Sequence, residues 1–304
     1  MTKGTKPWHT KSPTGTFKLI YMRLVYYLLC SFLLIFCQPG QAQQEDISTY
    51  YTGELGVSGG SAEYFGDLNT SSSFKGLMPA VGVFYRYFFN QYVGLRLGVH
   101  FAQVGYSDAL NTNPYEQRRN LSFNSNILEI AMQGDFNFFR FEPGTKYRFT
   151  PFITFGVGAF TFNPYAYYQG NKYYLQPLNT EGEGSTLYPN RKPYSLVALC
   201  FPIGAGFKYN INKQFNVSLE ASNRLTTTDY LDDVSKTYVE PVALPGGQGT
   251  HTNISYILQD RSGATGAPIG VPGRQRGNSQ NKDQYIIIEI SLSYLFTQYR
   301  CPKF

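Results

Sequence analysis

The chain has 304 residues, of which 17% are aromatic, with 26 Tyr and 24 Phe, and only 15% are charged. Its formal net charge of +6 comes almost wholly from Lys3, Lys6, Lys11, Lys18 and Arg23; residues 1–42 hold no acid, and without them the net charge falls to +1. A nearly neutral body argues against nucleic acid as a partner, because that binding rests on surplus cationic charge, and an abundance of Tyr, Phe and Gly favours strands and turns over helices.

Residues 1–42 read as an N-terminal extension and signal peptide. Basic residues precede an apolar run from Leu24 to Phe36, and Gly40-Gln41-Ala42 offers small residues for cleavage. The run is shorter than the roughly 20 residues of a spanning helix, which leaves a retained anchor as the weaker alternative. Met22, just ahead of Arg23, is an alternative start, and Cys30 and Cys37 lack the flanking sequence of a lipoprotein site. Residues 43–304 form the second unit, a single domain. Its two cysteines, Cys200 and Cys301, are not a disulfide framework. Cys200 falls in a strand and is expected to pack there, with a Cys200–Cys301 bridge as the alternative.

Beyond residue 42 no apolar run approaches helical spanning length, so a chain that enters a membrane must do so as a closed barrel, where every backbone group finds a partner. Two-residue alternation predicts eight strands, near 50–59, 79–89, 92–105, 124–139, 147–162, 195–209, 214–225 and 284–296. In the third, Val93, Leu95, Leu97, Val99 and Phe101 oppose Gly94, Arg96, Gly98, His100 and Ala102. In the last, Ile286, Ile288, Ile290, Leu292, Tyr294 and Phe296 oppose Glu289, Ser291 and Ser293. Short and long links alternate along the chain, as in outer-membrane barrels with short periplasmic turns and long external loops. Tyr87, Phe89, Phe136, Phe138, Phe207, Tyr209, Phe215, Tyr294 and Phe296 fall beside the short turns or the C-terminal strand end, where a periplasmic aromatic girdle belongs. The expected fold is therefore all-β: a transmembrane antiparallel up-and-down β-barrel of about eight strands, with a filled lumen, in the cell outer membrane of a Gram-negative bacterium. A soluble sandwich or a lipocalin-like barrel, with the apolar face turned inward, is the alternative.

Strand parity points Glu54, Glu129, Asp135, Glu220 and Glu289 inward together with Arg86, Arg96, Lys208 and Arg224. An eight-stranded barrel is just wide enough to be filled by side chains, and buried charges persist when paired. A structural ion-pair network is the expectation, with a path for ions or solutes as the alternative. Little else suggests chemistry. The three histidines are His9, His100 and His251, and no HExxH, CxxC or phosphate-loop motif occurs. His100 is expected to bond a lumen carboxylate, and Gly156-Val157-Gly158 to pack closely within a strand. Asp229, Asp232 and Asp233, with Tyr230 and Leu231 between them, form the densest acidic cluster. Turn capping is favoured there, with a hard cation such as calcium as the alternative. The stretch 245–279, rich in Gly and Pro, reads as a mobile surface loop. No enzyme activity, cofactor, metal or small-molecule substrate is expected.

Several segments carry a family resemblance: Gly59-Gly60-Ser61-Ala62-Glu63-Tyr64-Phe65-Gly66-Asp67-Leu68-Asn69 after the first predicted strand, Gly82-Val83-Phe84-Tyr85-Arg86-Tyr87, and Arg118-Arg119-Asn120-Leu121-Ser122-Phe123. Phe149-Thr150-Pro151-Phe152, Phe160-Thr161-Phe162-Asn163-Pro164, Pro202-Ile203-Gly204 and Thr228-Asp229-Tyr230-Leu231-Asp232-Asp233-Val234-Ser235 complete the set. On these the chain resembles the PorG-like outer-membrane barrels of Bacteroidetes, associated with the type IX protein secretion system. The resemblance implies a structural or accessory subunit that contacts periplasmic components of that machinery. The alternative is a general small outer-membrane barrel, receptor- or adhesin-like or membrane-stabilising, without a secretion role; a narrow porin is a third reading. Outer-membrane lipid is the expected surrounding in every case.

Overall fold

A computed structural model describes residues 50–246 and 253–298. The predicted signal segment, His9, His251 and Cys301 lie outside the described residues. Eight strands form the barrel wall: β1 (Tyr50–Phe65), β2 (Met78–Phe88), β3 (Val93–Ser107), β4 (Ser122–Asn137), β5 (Phe149–Thr161), β8 (Val197–Asn210), β9 (Phe215–Thr226) and β10 (Gln284–Gln298). Each pairs antiparallel with its neighbour in the chain. The wall closes where β1 meets β10, from Tyr50 opposite Gln298 to Phe65 opposite Gln284. The remaining strands, β6 (Tyr165–Tyr168) and β7 (Asn171–Tyr174), form a hairpin in the link between β5 and β8 and join the outer end of β4 through Tyr165. Two short helices, α1 (Pro114–Arg119) and α2 (Ile254–Gln259), lie in other links.

Sidedness follows the predicted alternation. Along β3, Val93, Leu95, Leu97, Val99 and Phe101 are exposed, whereas Gly94, Arg96, Gly98, His100 and Ala102 are buried. The most exposed large apolar groups, Phe155 of β5 at 63% and Ile290 of β10 at 61%, lie on the outer wall as well. A continuous apolar outer surface of this extent belongs in lipid. The polar side chains fill the interior, so the soluble arrangement with the apolar face inside does not apply. Aromatic rings meet edge-on around the short-turn end, among them Tyr87 with Phe89, Phe136 with Phe138 and Phe215 with Tyr294.

The short turns share a device. Asn90 Oδ1 accepts the N–H groups of Tyr92 and Val93, and Asn212 Oδ1 accepts those of Gln214 and Phe215. Each Asn thus reverses the chain with its own side chain. The third link at this end, 138–148, is longer and turns Phe141 under the barrel, where it is 4% exposed. The long links, 66–77, 108–121, 162–196 and 227–283, stand at the opposite, external end.

Two details differ from the predicted strands. β1 continues through Gly59-Gly60-Ser61 to Phe65, because β10 pairs with it as far as Phe65 and β2 as far as Ala62; the segment expected to follow the first strand is therefore largely part of it. Both helices and the β6–β7 hairpin are additional, each too short to produce a readable period.

Candidate functional site

The interior is built from layers of charge contributed by alternate residues of every wall strand but β5, which supplies Thr150 and Thr154 instead. At the periplasmic end Glu54 of β1 is ion-paired with Arg86 of β2. Its second carboxylate oxygen accepts hydrogen bonds from Asn216 (2.5 Å) and Ser293 (2.8 Å). Arg86 Nε lies 2.5 Å from Asp135 Oδ2. Arg96 donates through both terminal nitrogens to Glu220, at 2.6 and 2.8 Å, and its Nη2 is 3.8 Å from Asp135. Such bidentate pairing fixes orientation as well as charge. Lys208 Nζ sits 4.0 Å from Asp135 and 4.9 Å from the centre of the Phe152 ring, with the Phe141 ring at 5.5 Å below it.

The outer half holds a second cluster. Glu129 accepts from Tyr285 Oη (2.6 Å) and from Arg224 Nε (3.2 Å). His100 lies between Glu129 and Glu289, with its ring nitrogens 3.5 and 3.6 Å from their oxygens. A Cβ on Gly82 would come within 2.4 Å of that imidazole, so only glycine leaves it room. All nine predicted lumen residues are thus inside, none more than 5% exposed. Ser293, on the polar face of the last predicted strand, joins the network, and Tyr285 and Asn216, which sequence reasoning missed, complete it without carrying a charge.

Cys200 is a free, buried thiol 3.8 Å from Glu129. Gly156 packs as a strand residue, where a Cβ would lie 2.1 Å from the Met132 carbonyl oxygen.

Above this interior the long links fold into a lid, and the Asp229–Ser235 segment is its knot. Asp229 Oδ2 accepts from Ser235 Oγ at 2.6 Å, a local turn bond. The Tyr230 ring stacks on Tyr194 at 4.5 Å. Leu231 is fully buried, and its N–H donates to Asp283. Asp232 accepts from Tyr64 Oη at 2.6 Å, and the same hydroxyl reaches Asp283 at 2.9 Å. Asp233, in the left-handed region at φ 68°, accepts from Thr180 and Tyr194, both at 2.6 Å. Arg276 donates to Glu181 (3.1 Å) and to the Asp233 carbonyl (2.6 Å). Arg119 binds Asp108 with two nitrogens and also reaches the carbonyls of Asp67 and Arg276. Through these few side chains all four long links are tied together and to β1.

Burial dominates the electrostatics of the lid. It pushes Asp232 and Asp283 well above the usual carboxylate range, with charge repulsion from Asp283 adding at Asp232 and from Asp229 at Asp283. Asp229 and Asp233 are raised to about 6 by burial. At Asp233 the Arg276 guanidinium and the two hydroxyl donors act in the opposite direction. Glu183 is raised to about 7 by burial, reinforced by Asp233 and Glu181. The three motif carboxylates turn to different partners. Among the described residues no group of three His, Cys, Asp or Glu side chains converges as a metal site does. The motif's acids engage turn and inter-loop hydrogen bonds.

Residues 28–241 match a family described as Domain of unknown function (DUF6089). No curated protein matches the chain. Among solved structures, it is similar to the N-terminal β-barrel domain of Pseudomonas aeruginosa OprF, with 11% identity, 82% of this chain and 100% of that chain covered, and a TM-score of 0.34. It is also similar to Neisserial surface protein A, at 5% identity, 80% and 97% coverage and a TM-score of 0.39. A third likeness is to the attachment invasion locus protein Ail of Yersinia pestis, at 9% identity, 81% and 99% coverage and a TM-score of 0.37.

Proposed function

We propose that this chain, which belongs to the DUF6089 family, is a non-conducting outer-membrane barrel that works through its surfaces as an accessory subunit of the type IX protein secretion machinery, contacting periplasmic components. One observation carries the non-conducting part. The interior is crossed by paired charges from Glu54 to Glu289, and Phe141 packs beneath it. A barrel whose bore is occupied by its own side chains offers partners a rigid wall, two rims and a lid. The secretion role is supported by the family resemblance of the Arg118–Phe123 and Thr228–Ser235 segments. In this structure those segments belong to the lid that holds the external links together. A general membrane-stabilising or adhesin-like barrel is the second reading, favoured by how much of the chain is invested in that external lid.

Two measurements test the proposal. Deleting the gene should impair release of substrates that carry the type IX signal, and a complementing copy should restore it; unimpaired release would leave the second reading. Planar-bilayer recording of the purified barrel should show no steady conductance. A stable open current would overturn the surface-acting mechanism altogether.

A further inference from the structure

The β6–β7 hairpin turns one face outward. Tyr165 pairs with Asn124 of β4 and therefore shares its side of the sheet, the side that Leu128 and Ile130 turn to lipid. Pairing and strand parity put Tyr174, opposite Tyr165, and Tyr167 with Lys172 opposite it on that same side. On the other side Ala166, Tyr168 and Tyr173 pack on the buried apolar cluster. Gln169 and Gly170, at φ 49° and 80°, close the hairpin with a tight two-residue turn that suits the strand twist. At its base the Leu175 N–H donates to the Pro164 carbonyl at 2.8 Å. The outward face is thus fixed before anything binds, which lowers the ordering entropy that binding costs.

What that face carries selects a class of ligand. Lys172 Nζ lies 3.7 Å from the centre of the Tyr165 ring and 4.8 Å from that of Tyr174, and Tyr165 meets both Tyr167 and Tyr174 edge-on. Tyr167 is 52% and Tyr174 46% exposed. Rings hold an ammonium in place without neutralising it. No acid occurs between Glu142 and Glu181, and Glu181 is buried against Arg276. Lys172 is exposed and forms no ion pair among the described residues, so its charge remains for an anion. Height narrows the choice. Beyond Leu128 the outward residues of β4 are Asn126 and Asn124, which bear the base of the hairpin. Four residues span about 13 Å along a strand, or about 10 Å along the membrane normal at a barrel tilt of about 40°. A phospholipid headgroup layer is only about 5–8 Å deep, so a lipid that reaches the hairpin needs a larger headgroup, as a phosphorylated sugar is. A tyrosine offers such a sugar an apolar face with a polar tip, and a lysine offers its phosphate a point charge.

We propose that the outward face of the β6–β7 hairpin docks the phosphorylated sugar headgroup of an outer-leaflet glycolipid, with Lys172 meeting the phosphate and Tyr167 and Tyr174 flanking the sugar. The face continues the lipid-facing wall above Leu128, so its occupant is a membrane lipid rather than a free solute. The inference rests on the outer-membrane placement alone and survives failure of the secretion reading.

Native mass spectrometry of the purified barrel, released from detergent micelles to which lipid has been added, tests it. Diphosphorylated lipid A is the probe, and the same lipid stripped of its phosphates is the control. A saturable adduct with the probe is expected at concentrations where the control gives none. Lys172→Ala and the double variant Y167A/Y174A should each weaken the adduct by about fivefold or more. Lys146→Ala, which removes the lysine beside Tyr147 at the opposite rim, should leave it unchanged. Heat-modifiable gel mobility confirms that each variant is folded. Equal adducts with the two lipids, no adduct with the probe, unchanged affinity in either hairpin variant, or an equal loss in Lys146→Ala would overturn the proposal. Lipid-independent dimers that vanish in Y167A/Y174A would assign the face to a second copy of the chain and overturn it too.

Discussion

Arg96 shows what a single residue contributes inside the barrel. It is 2% exposed, holds Glu220 with two hydrogen bonds and faces Asp135. Removing one partner of a buried pair leaves an uncompensated charge, typically costing about 3–5 kcal/mol, whereas replacing both partners by apolar groups can be neutral. Arg96→Met should therefore destabilise the barrel by about 3–5 kcal/mol, and the double variant R96M/E220M should recover much of that loss. Urea titration followed by heat-modifiable mobility measures both; a double variant no better than the single would mean that Asp135, left facing an apolar side chain, dominates. The charged lumen residues were legible in the sequence because β-strand parity is strict and a charge on an otherwise apolar strand is conspicuous. Tyr285 and Tyr64 were not legible as network members. A tyrosine suits a lipid-facing girdle as well as a buried carboxylate partner, and composition alone does not say which side it takes.

At the scale of the elements, alternation located all eight wall strands, and the short–long rhythm of links located their ends. It misjudged β1, where Gly59-Gly60-Ser61 reads locally as a turn but is held extended by β10 on one side and β2 on the other. That override is tertiary, and no local signal carries it. The same strands distinguish two glycines that look alike in sequence. A Cβ on Gly156 of β5 would meet the Met132 carbonyl at 2.1 Å and Gln133 Cα at 2.8 Å, backbone atoms that cannot move without opening the β4–β5 pairing. A Cβ on Gly59 meets nothing within 4 Å. Gly156→Val should cost about 1–3 kcal/mol or prevent closure, and Gly59→Val should stay within about 0.5 kcal/mol of the parent. The folded fraction after refolding into detergent measures each, and equal yields would show that the β4–β5 ladder is looser than its register implies.

The whole molecule combines a wall held by backbone ladders with a lid held by a few buried acids, and the two parts should respond differently to pH. Asp229 and Asp233 are raised to about 6, Glu183 to about 7, and Asp232 and Asp283 higher than an exposed carboxylate, in each case chiefly by burial. A folded lid thus keeps protons that the opened lid releases near pH 4. Where the folded pKa is the higher one, the stabilisation is complete below the unfolded value and is lost as pH rises through the folded value. The window for the three acids with defined values therefore runs from about pH 4 to about pH 7. For Glu183, 3% exposed and raised from 4.5 to about 7, the loss amounts to about 3 kcal/mol. Local opening of the lid does not require the barrel to unfold. Amide hydrogen exchange across 227–246, corrected for the intrinsic pH dependence of exchange, should accelerate between about pH 4 and about pH 7, while exchange in β3 and β4 stays unchanged. Glu183→Gln removes one titrating group and keeps the shape, so it should flatten part of that acceleration. Protection that instead increased with pH would mean that these acids are ionised in the closed lid, with Arg276 and Arg119 outweighing burial.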